Sequence, residues 1–238
     1  MFRAIRSWWT GGSAKVTLRL FLFEFVVVVA GVLVAQAVAD WARQRSDVAA
    51  MERAKVRLDR DIRIGRATVE SWLIAMPCLE AQLDEVMRVA GGNAQIDPVV
   101  LERPAFRSMN VERLTSESGL LLIDRYGSDK AQLYTTLQDR AARITVLANH
   151  AAERWMNLTV LDPRYGTVRE GDRVNARAAA SDIKSALLSL AIGSRGFLDE
   201  SNRLGLTTMV DEGRRMPRGC DDIRASGALM PYVGRRLP

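Results

Sequence analysis

Few residues in this sequence have the types and spacing that catalysis requires. The 238-residue chain has one histidine, His150, and two cysteines, Cys78 and Cys220. A zinc cluster takes about four Cys or His ligands, so these residues exclude one. The sequence contains no nucleophile elbow, phosphate-binding loop, metalloprotease motif or Cys-x-x-Cys pair. We therefore predict that the chain is not an enzyme and that it holds neither a cofactor nor a metal ion.

Two weaker catalytic arrangements lie on predicted helices. Ser181, Lys184 and Ser185 share a polar stretch, and serine with lysine can form a nucleophile and its base. Such residues are also ordinary on a solvated helix face. His150 has Glu153 and Arg154 at helical contact spacing, and we interpret it as a half-buried or surface histidine.

Glu24 is the most unusual single residue, because it lies inside an apolar run. Residues 20–39 carry no other charged side chain, and a carboxylate in hydrocarbon is costly. Such a group usually pairs, takes up a proton or faces a protein partner. Because Glu24 is only about one to two turns from the predicted membrane edge, pairing with Lys15 or Arg19 is the alternative.

Small residues follow Glu24 at helical spacing. Gly31, Ala35 and Ala39 recur every four residues, although glycine and alanine are common in membrane helices in general. A row of small residues lets a second membrane helix approach closely. We predict that the span associates with a second copy, or with another membrane protein, through one face made of Glu24, Val28, Gly31, Ala35 and Ala39.

The element that carries this face is predicted to be a transmembrane helix over residues 20–39. About 20 apolar residues span the core of a bilayer. Trp8 and Trp9 fit one interfacial belt, and Trp41 fits the other. Residues 1–19 hold bases and no acid, so the positive-inside bias predicts that they form a cytoplasmic lead. Residues 40–66 carry eight basic and five acidic residues, so the reverse orientation stays an alternative.

A cleaved signal peptide is the alternative to an anchor. Residues 25–35 have the length of a signal-peptide core, and Ala-x-Ala sites occur at residues 35–37 and 37–39. The long basic lead and Glu24 favour an uncleaved anchor. Both interpretations export residues 40–238.

The anchor resembles that of a family of bacterial single-pass membrane proteins of unknown function. The spacing E-x6-G-x3-A-x5-W, after a basic and aromatic lead, is carried here by Glu24, Gly31, Ala35 and Trp41. Members of that family also tend to carry a segment similar to residues 118–123 ahead of a long helix. The resemblance implies a bacterial inner-membrane location with residues 40–238 in the periplasm, and it implies no activity.

Three long amphipathic helices are predicted after Trp41. The first continues from the membrane helix and tolerates Pro77 until glycines stop it at residues 91–92. The second begins at Ser128 or Asp129 and ends in a turn at residues 162–166, and the third runs from Asp172 to about Glu212. Residues 94–128 are predicted to form short helices and loops, and residues 167–174 are ambiguous.

The predicted fold class is therefore all-α. A single N-terminal transmembrane helix continues into an antiparallel bundle of three long helices, with short helices between the first and the second. Residues 40–212 form the exported bundle. If the second helix returns towards the membrane and the third runs out again, the turn at residues 162–166 faces the membrane and Cys78 lies near Cys220. Since export is oxidising, we predict a disulfide between these cysteines.

Residues 213–238 form an Arg-rich C-terminal tail with six arginines and two aspartates. An exported tail of this kind suits anionic lipid, an acidic partner or cell-wall polymer, and no aromatic residues alternate with its bases in the way nucleic-acid binding requires. We predict partners that include the lipid bilayer but no nucleic acid. The function that fits is a non-enzymatic interaction or scaffold component. The alternatives are a ligand-binding, sensor-like exported bundle and a secreted bundle released by cleavage.

Overall fold

The computed structural model describes residues 14–92, 94–104, 106 and 108–208, and within these residues the chain is helical without a β-strand. Its helices are α1 (Ala14–Ala90), α2 (Ser116–Tyr126), α3 (Ser128–Met156) and α4 (Glu170–Arg203). Short 3-10 turns occur at Pro98–Leu101, Asn157–Leu161 and Pro163–Tyr165. The predicted all-α class, with three long helices and short elements between the first and second, is confirmed.

The chain divides into two compact units, Met1–Glu52 and Arg53–Pro238, and α1 contributes to both. In the first unit the described residues are helical throughout. This helix is long and apolar enough to cross a membrane, and none of its most apolar stretch is buried. By length and composition it fits either a membrane span or a signal sequence near the N-terminus.

In the second unit α1 continues through Pro77 and ends at Ala90. The backbone N–H groups of Gly91 and Gly92 donate to carbonyls of the last turn at 3.0 and 3.1 Å, so the predicted glycine stop is confirmed. Apolar residues at helical spacing along α1 are buried in this unit, namely Leu58, Ile62, Val69, Trp72 and Met76.

Residues 94–115, here called the return segment, carry the chain back along α1 before α3 begins. Near its start, Gln82 Nε2 donates to Val100 O at 2.6 Å. Near its end, Glu112 N donates to Asp61 Oδ2 at 3.2 Å. Much of this segment is not helical, so side chains of α1 and α3 satisfy several of its backbone groups. Besides Gln82, these side chains are Gln138, Thr145 and Trp155.

The predicted return of the second long helix is wrong, because the return segment has already reversed the chain. Tyr134 Oη, near the start of α3, donates to Asp59 at 2.6 Å, and Trp155, near its end, packs with Trp72 around Phe106. Helix α3 therefore runs parallel to α1. The turn at residues 162–166 consequently lies beside Val89, at the C-terminal end of α1.

Helix α4 is antiparallel to both α1 and α3. Its contacts with α3 include Arg140 to Glu200 at 2.6 Å, and its contacts with α1 include Lys184 to Asp84 at 2.6 Å. Gly193 lies against Ile144, where an added Cβ would come within 3.3 Å of the isoleucine side chain. The bundle is thus held by antiparallel pairs that α4 makes with both of its neighbours.

Helix α4 begins at Glu170 and ends at Arg203, earlier than the predicted Glu212, which lies outside the described residues. Gly205 adopts φ +71° and donates to Asn202 O at 2.9 Å, while Leu206 N donates to Ser201 O at 3.0 Å. This left-handed glycine followed by a buried leucine is a common way to end a helix. At the other end, the ambiguous residues 167–174 form no strand.

The core of the second unit combines two tryptophans with many small residues. Phe106 stacks on Trp72 at 5.1 Å between ring centroids and lies 6.0 Å from Trp155. Alanines let the helices approach closely, and they include Ala148, Ala151, Ala176, Ala179 and Ala180. Full burial of each large apolar side chain stabilises the fold by about 1.5–3 kcal/mol.

Candidate functional site

The predicted association face lies exposed along the first unit. Glu24, Val28, Gly31, Ala35 and Ala39 are all exposed, and α-helical spacing places them on one side of α1. A Cβ added at Gly31 would meet no atom of the described chain within 4 Å. A second helix could therefore approach the backbone at this point without displacing any described side chain.

Trp41, one of the predicted interfacial anchors, lies in this unit as well. Trp41 is 60% exposed, with the Arg45 guanidinium 5.4 Å from its ring centroid. Asp40 and Arg43 form a 3.9 Å ion pair that is largely exposed. This mixture of aromatic and charged groups at the end of an apolar stretch suits a lipid headgroup region. Trp8 and Trp9 lie outside the described residues.

Of the two cysteines, Cys78 lies in the core of the second unit. Its side chain is 4% exposed, and it belongs to the same cluster as Trp72 and Leu79. Cys220 lies outside the described residues, as does the Arg-rich tail. The disulfide therefore stays a prediction.

The residues considered for catalysis have separate surroundings. His150 is exposed on α3, as predicted, while Arg154 pairs with Asp182 of α4. Lys184 pairs with Asp84, so an aspartate on α1 already engages its ammonium group. No group of three or more His, Cys, Asp or Glu side chains that could hold a metal ion occurs among the described residues.

A polar cluster joins α1, α2 and α3 at the start of the second unit. Asp59 accepts hydrogen bonds from Tyr134 Oη at 2.6 Å and from Lys55 Nζ at 2.7 Å. The same ammonium lies 5.3 Å from the ring centroid of Tyr126 and 5.8 Å from that of Tyr134. Burial, followed by the hydrogen bond to Asp59, raises the pKa of Tyr134 far above its ordinary range. Tyr134 is thus a neutral cross-link between helices and is poorly suited to proton transfer near neutral pH.

A second cluster fixes the end of α4 to α1 through Arg66, which is 8% exposed. Its Nη1 donates to Asn202 Oδ1 at 2.8 Å and to Leu198 O at 3.2 Å. Its Nε donates to Thr208 Oγ1 at 3.2 Å. A buried guanidinium with several acceptors is a stable arrangement, and here it joins segments that are far apart in sequence.

At the opposite end of the second unit, where α1 ends and α4 begins, lies a cavity of about 540 Å³, here called the end cavity. Apolar and polar groups both line it, among them Val89, Gln95, Ile96, Leu161, Thr167 and Arg173. Arg173 Nη1 donates to Val89 O at 3.1 Å and also to Gly92 O. This volume is within the range of small-molecule sites.

Sequence reasoning did not find this cavity. Residues 91–93 and 162–166 were identified as turns, but nothing in the pattern indicates that both turns lie at one end of the unit. Arg173 is one of several charged residues at the start of α4, and only its placement beside the end of α1 distinguishes it.

Comparisons of this chain with protein families, with curated proteins and with solved structures found no match. The resemblance of the anchor to a bacterial single-pass family therefore stays a prediction.

Proposed function

We propose that this chain is a bitopic protein of the bacterial inner membrane that acts as a non-enzymatic interaction or scaffold component. Its span associates with a second copy through Glu24, Val28, Gly31, Ala35 and Ala39. The observation that carries this proposal is the exposed row of small residues in an apolar helix that could cross a membrane. Because lipid solvates apolar side chains well, close backbone packing rather than the hydrophobic effect favours association there.

The proposed topology has residues 1–19 in the cytoplasm and residues 40–238 in the periplasm. The bases ahead of the span, Arg3, Arg6, Lys15 and Arg19, support this orientation because no acid accompanies them. In this topology the exported unit is the part that meets partners in the periplasm.

We further propose the disulfide between Cys78 and Cys220, which such an export would permit. Thr208, at the end of the described chain, donates to Glu70, so after α4 the chain advances along α1 in the direction of Cys78. The residues between Thr208 and Cys220 can span about 40 Å when extended, whereas Glu70 and Cys78 are roughly 12 Å apart along the helix.

Two substitutions on opposite faces of the span test the association. Ala35 and Ala37 are two residues apart, so they face about 200° away from each other around the helix. We expect Ala35→Leu to raise the dissociation constant of the self-associated span about tenfold or more, because the larger side chain holds the helices apart. Ala37→Leu should leave it unchanged. Förster transfer between donor- and acceptor-labelled full chains in liposomes measures both.

Glu24→Gln and Gly31→Leu extend the same test to the remaining polar and small positions. Equal Förster transfer for the Ala35 and Ala37 variants would contradict association through this face, and absence of transfer in the unaltered chain would contradict self-association altogether.

A ligand-binding exported bundle is the second candidate, and the end cavity is the observation that favours it. This function requires a ligand whose chemistry matches that cavity.

A further inference from the structure

Arg173 is the charged side chain that the described residues contribute to the lining of the end cavity. We infer that this cavity binds a small organic carboxylate through the Nε–Nη2 edge of Arg173. This inference does not depend on the proposed scaffold role, because it concerns residues of the second unit alone.

Backbone carbonyls at the end of α1 hold the Arg173 side chain. Its Nη1 donates to the carbonyl of Val89, in the last turn of α1, and to that of Gly92, just after the helix. These two bonds fix the plane of the guanidinium before any ligand arrives. They leave Nε and Nη2, the two nitrogens whose N–H groups point in parallel, without an acceptor among the described residues. Such a fixed edge loses little freedom when it binds an anion.

Other arginines of this protein use the same Nε–Nη2 edge to bind a carboxylate side chain. Arg88 donates from Nε and Nη2 to Glu85 at 2.7 and 2.6 Å. Arg140 does so to Glu200 at 2.9 and 2.6 Å, and Arg164 does so to Asp162 at 3.0 and 2.7 Å. A carboxylate matches the two parallel N–H groups of this edge. At Arg173, a lining residue of the cavity, no acceptor among the described residues takes the place that a carboxylate side chain takes elsewhere.

The walls of the end cavity combine apolar and neutral polar groups. Val89, Ile96, Leu161 and Val168 offer apolar surface, and Gln95 and Thr167 offer neutral polar groups. No acidic side chain among the described residues lines the cavity, so the net charge of its described lining favours an anion. An apolar wall beside one cation suits a carboxylate that carries a short alkyl part, because each portion of the ligand then meets matching surface.

Butyrate and its neutral analogue butyramide are the probes. We expect saturation-transfer difference NMR on the full chain in lipid nanodiscs to show transfer to butyrate and much less to butyramide. Arg173→Lys should weaken butyrate binding about tenfold or more, because lysine keeps the charge but lacks the paired N–H groups. Circular dichroism of the variant establishes that it is folded.

Arg177→Lys is the matched control. Arg177 lies one helical turn further along α4, pairs with Glu170 at 3.3 Å and is not part of the cavity lining. The Arg177→Lys variant should bind butyrate as the unaltered chain does. Any of four results would overturn the inference: no transfer to butyrate, equal transfer to butyramide, equal weakening by the two lysine variants, or displacement of butyrate by inorganic phosphate at lower concentration than by acetate.

Discussion

At the scale of single residues, Tyr134 shows how one hydroxyl group can link two helices. It donates from α3 to Asp59 of α1, and its ring contributes to the surroundings of Lys55 together with Tyr126 of α2. The pKa of Tyr134 is raised by burial first and by the hydrogen bond to Asp59 second. Removing its proton would leave a buried negative charge within hydrogen-bond distance of the half-buried Asp59 carboxylate, which is why the neutral form is strongly favoured.

A pH dependence of stability follows from this raised pKa. Above its ordinary pKa of about 10, an unfolded tyrosine loses its proton while folded Tyr134 keeps it. The folded state then binds more protons, so the free energy of unfolding should fall as the pH rises, by at most about 1.4 kcal/mol per pH unit from this group. Denaturant unfolding of the full chain in micelles, followed between about pH 8 and 11, measures it.

Tyr134→Phe should lose this alkaline decrease while remaining folded at neutral pH. Tyr165→Phe is the control, because Tyr165 is 79% exposed at the turn before α4. If all three proteins showed the same slope against pH, Tyr134 would not be the neutral cross-link described above.

At the scale of elements, the ends of α4 illustrate what glycine does in two different conformations. Gly205 follows the helix with φ +71°, which other residues adopt only with strain. Gly171 lies in the first turn of the same helix with nothing within 4 Å of an added Cβ. The first glycine is required by the backbone, whereas the second only makes the unfolded chain more flexible.

The same substitution should therefore have opposite effects at the two sites. Gly205→Ala is expected to lower the free energy of unfolding by about 1 kcal/mol, and Gly171→Ala to raise it by roughly 0.5–1 kcal/mol. Denaturant unfolding of both variants in micelles checks this, and a change of the same sign at both sites would contradict it.

Sequence periodicity predicted the faces of the helices well and their directions poorly. The apolar residues Ile183, Leu187, Leu190 and Phe197 recur at helical spacing along α4 and are all buried, because this spacing depends only on which side of a helix meets the core. The same spacing is compatible with either direction of a helix. The return segment decides the direction, and its course depends on contacts such as Gln82 to Val100 that no local pattern encodes.

The candidate sites differ in the same way. The association face could be proposed from the sequence alone, because all its residues lie on one helix, and it stays a prediction. The end cavity could not, because Arg173, Val89 and Leu161 are far apart in sequence and meet only once the bundle has formed.

At the scale of the whole molecule, the proposed anchor and the proposed disulfide both bear on whether residues 40–238 are exported. A disulfide between Cys78 and Cys220 would close a loop of about 140 residues and stabilise the fold by on the order of 4–5 kcal/mol in the chain-entropy treatment. It would also require an oxidising compartment, which only the topology with residues 40–238 outside the cytoplasm provides.

An intact mass, measured without reduction on protein from its native membrane, tests both proposals together. We expect a mass that includes residues 1–39 and is two hydrogens below that of the reduced chain. The mass of a chain that begins at residue 38 or 40 would contradict the anchor and indicate a cleaved signal peptide. A full-length, fully reduced chain would contradict the proposed topology, and reduction of the purified protein provides the reference mass.

The contact between Arg66 and Ser201 also has a consequence for biosynthesis. These residues are 135 positions apart, so α4 reaches its place on α1 only after most of the chain has been made. At about 5–20 residues per second, the ribosome needs roughly 7–27 seconds to add that length. During this interval Trp72, Leu79 and Leu83 of α1, which share a core cluster with residues of α4, lack that helix. A nascent chain in that state exposes an apolar stripe, and a chaperone that holds such stripes would protect it from aggregation until synthesis ends.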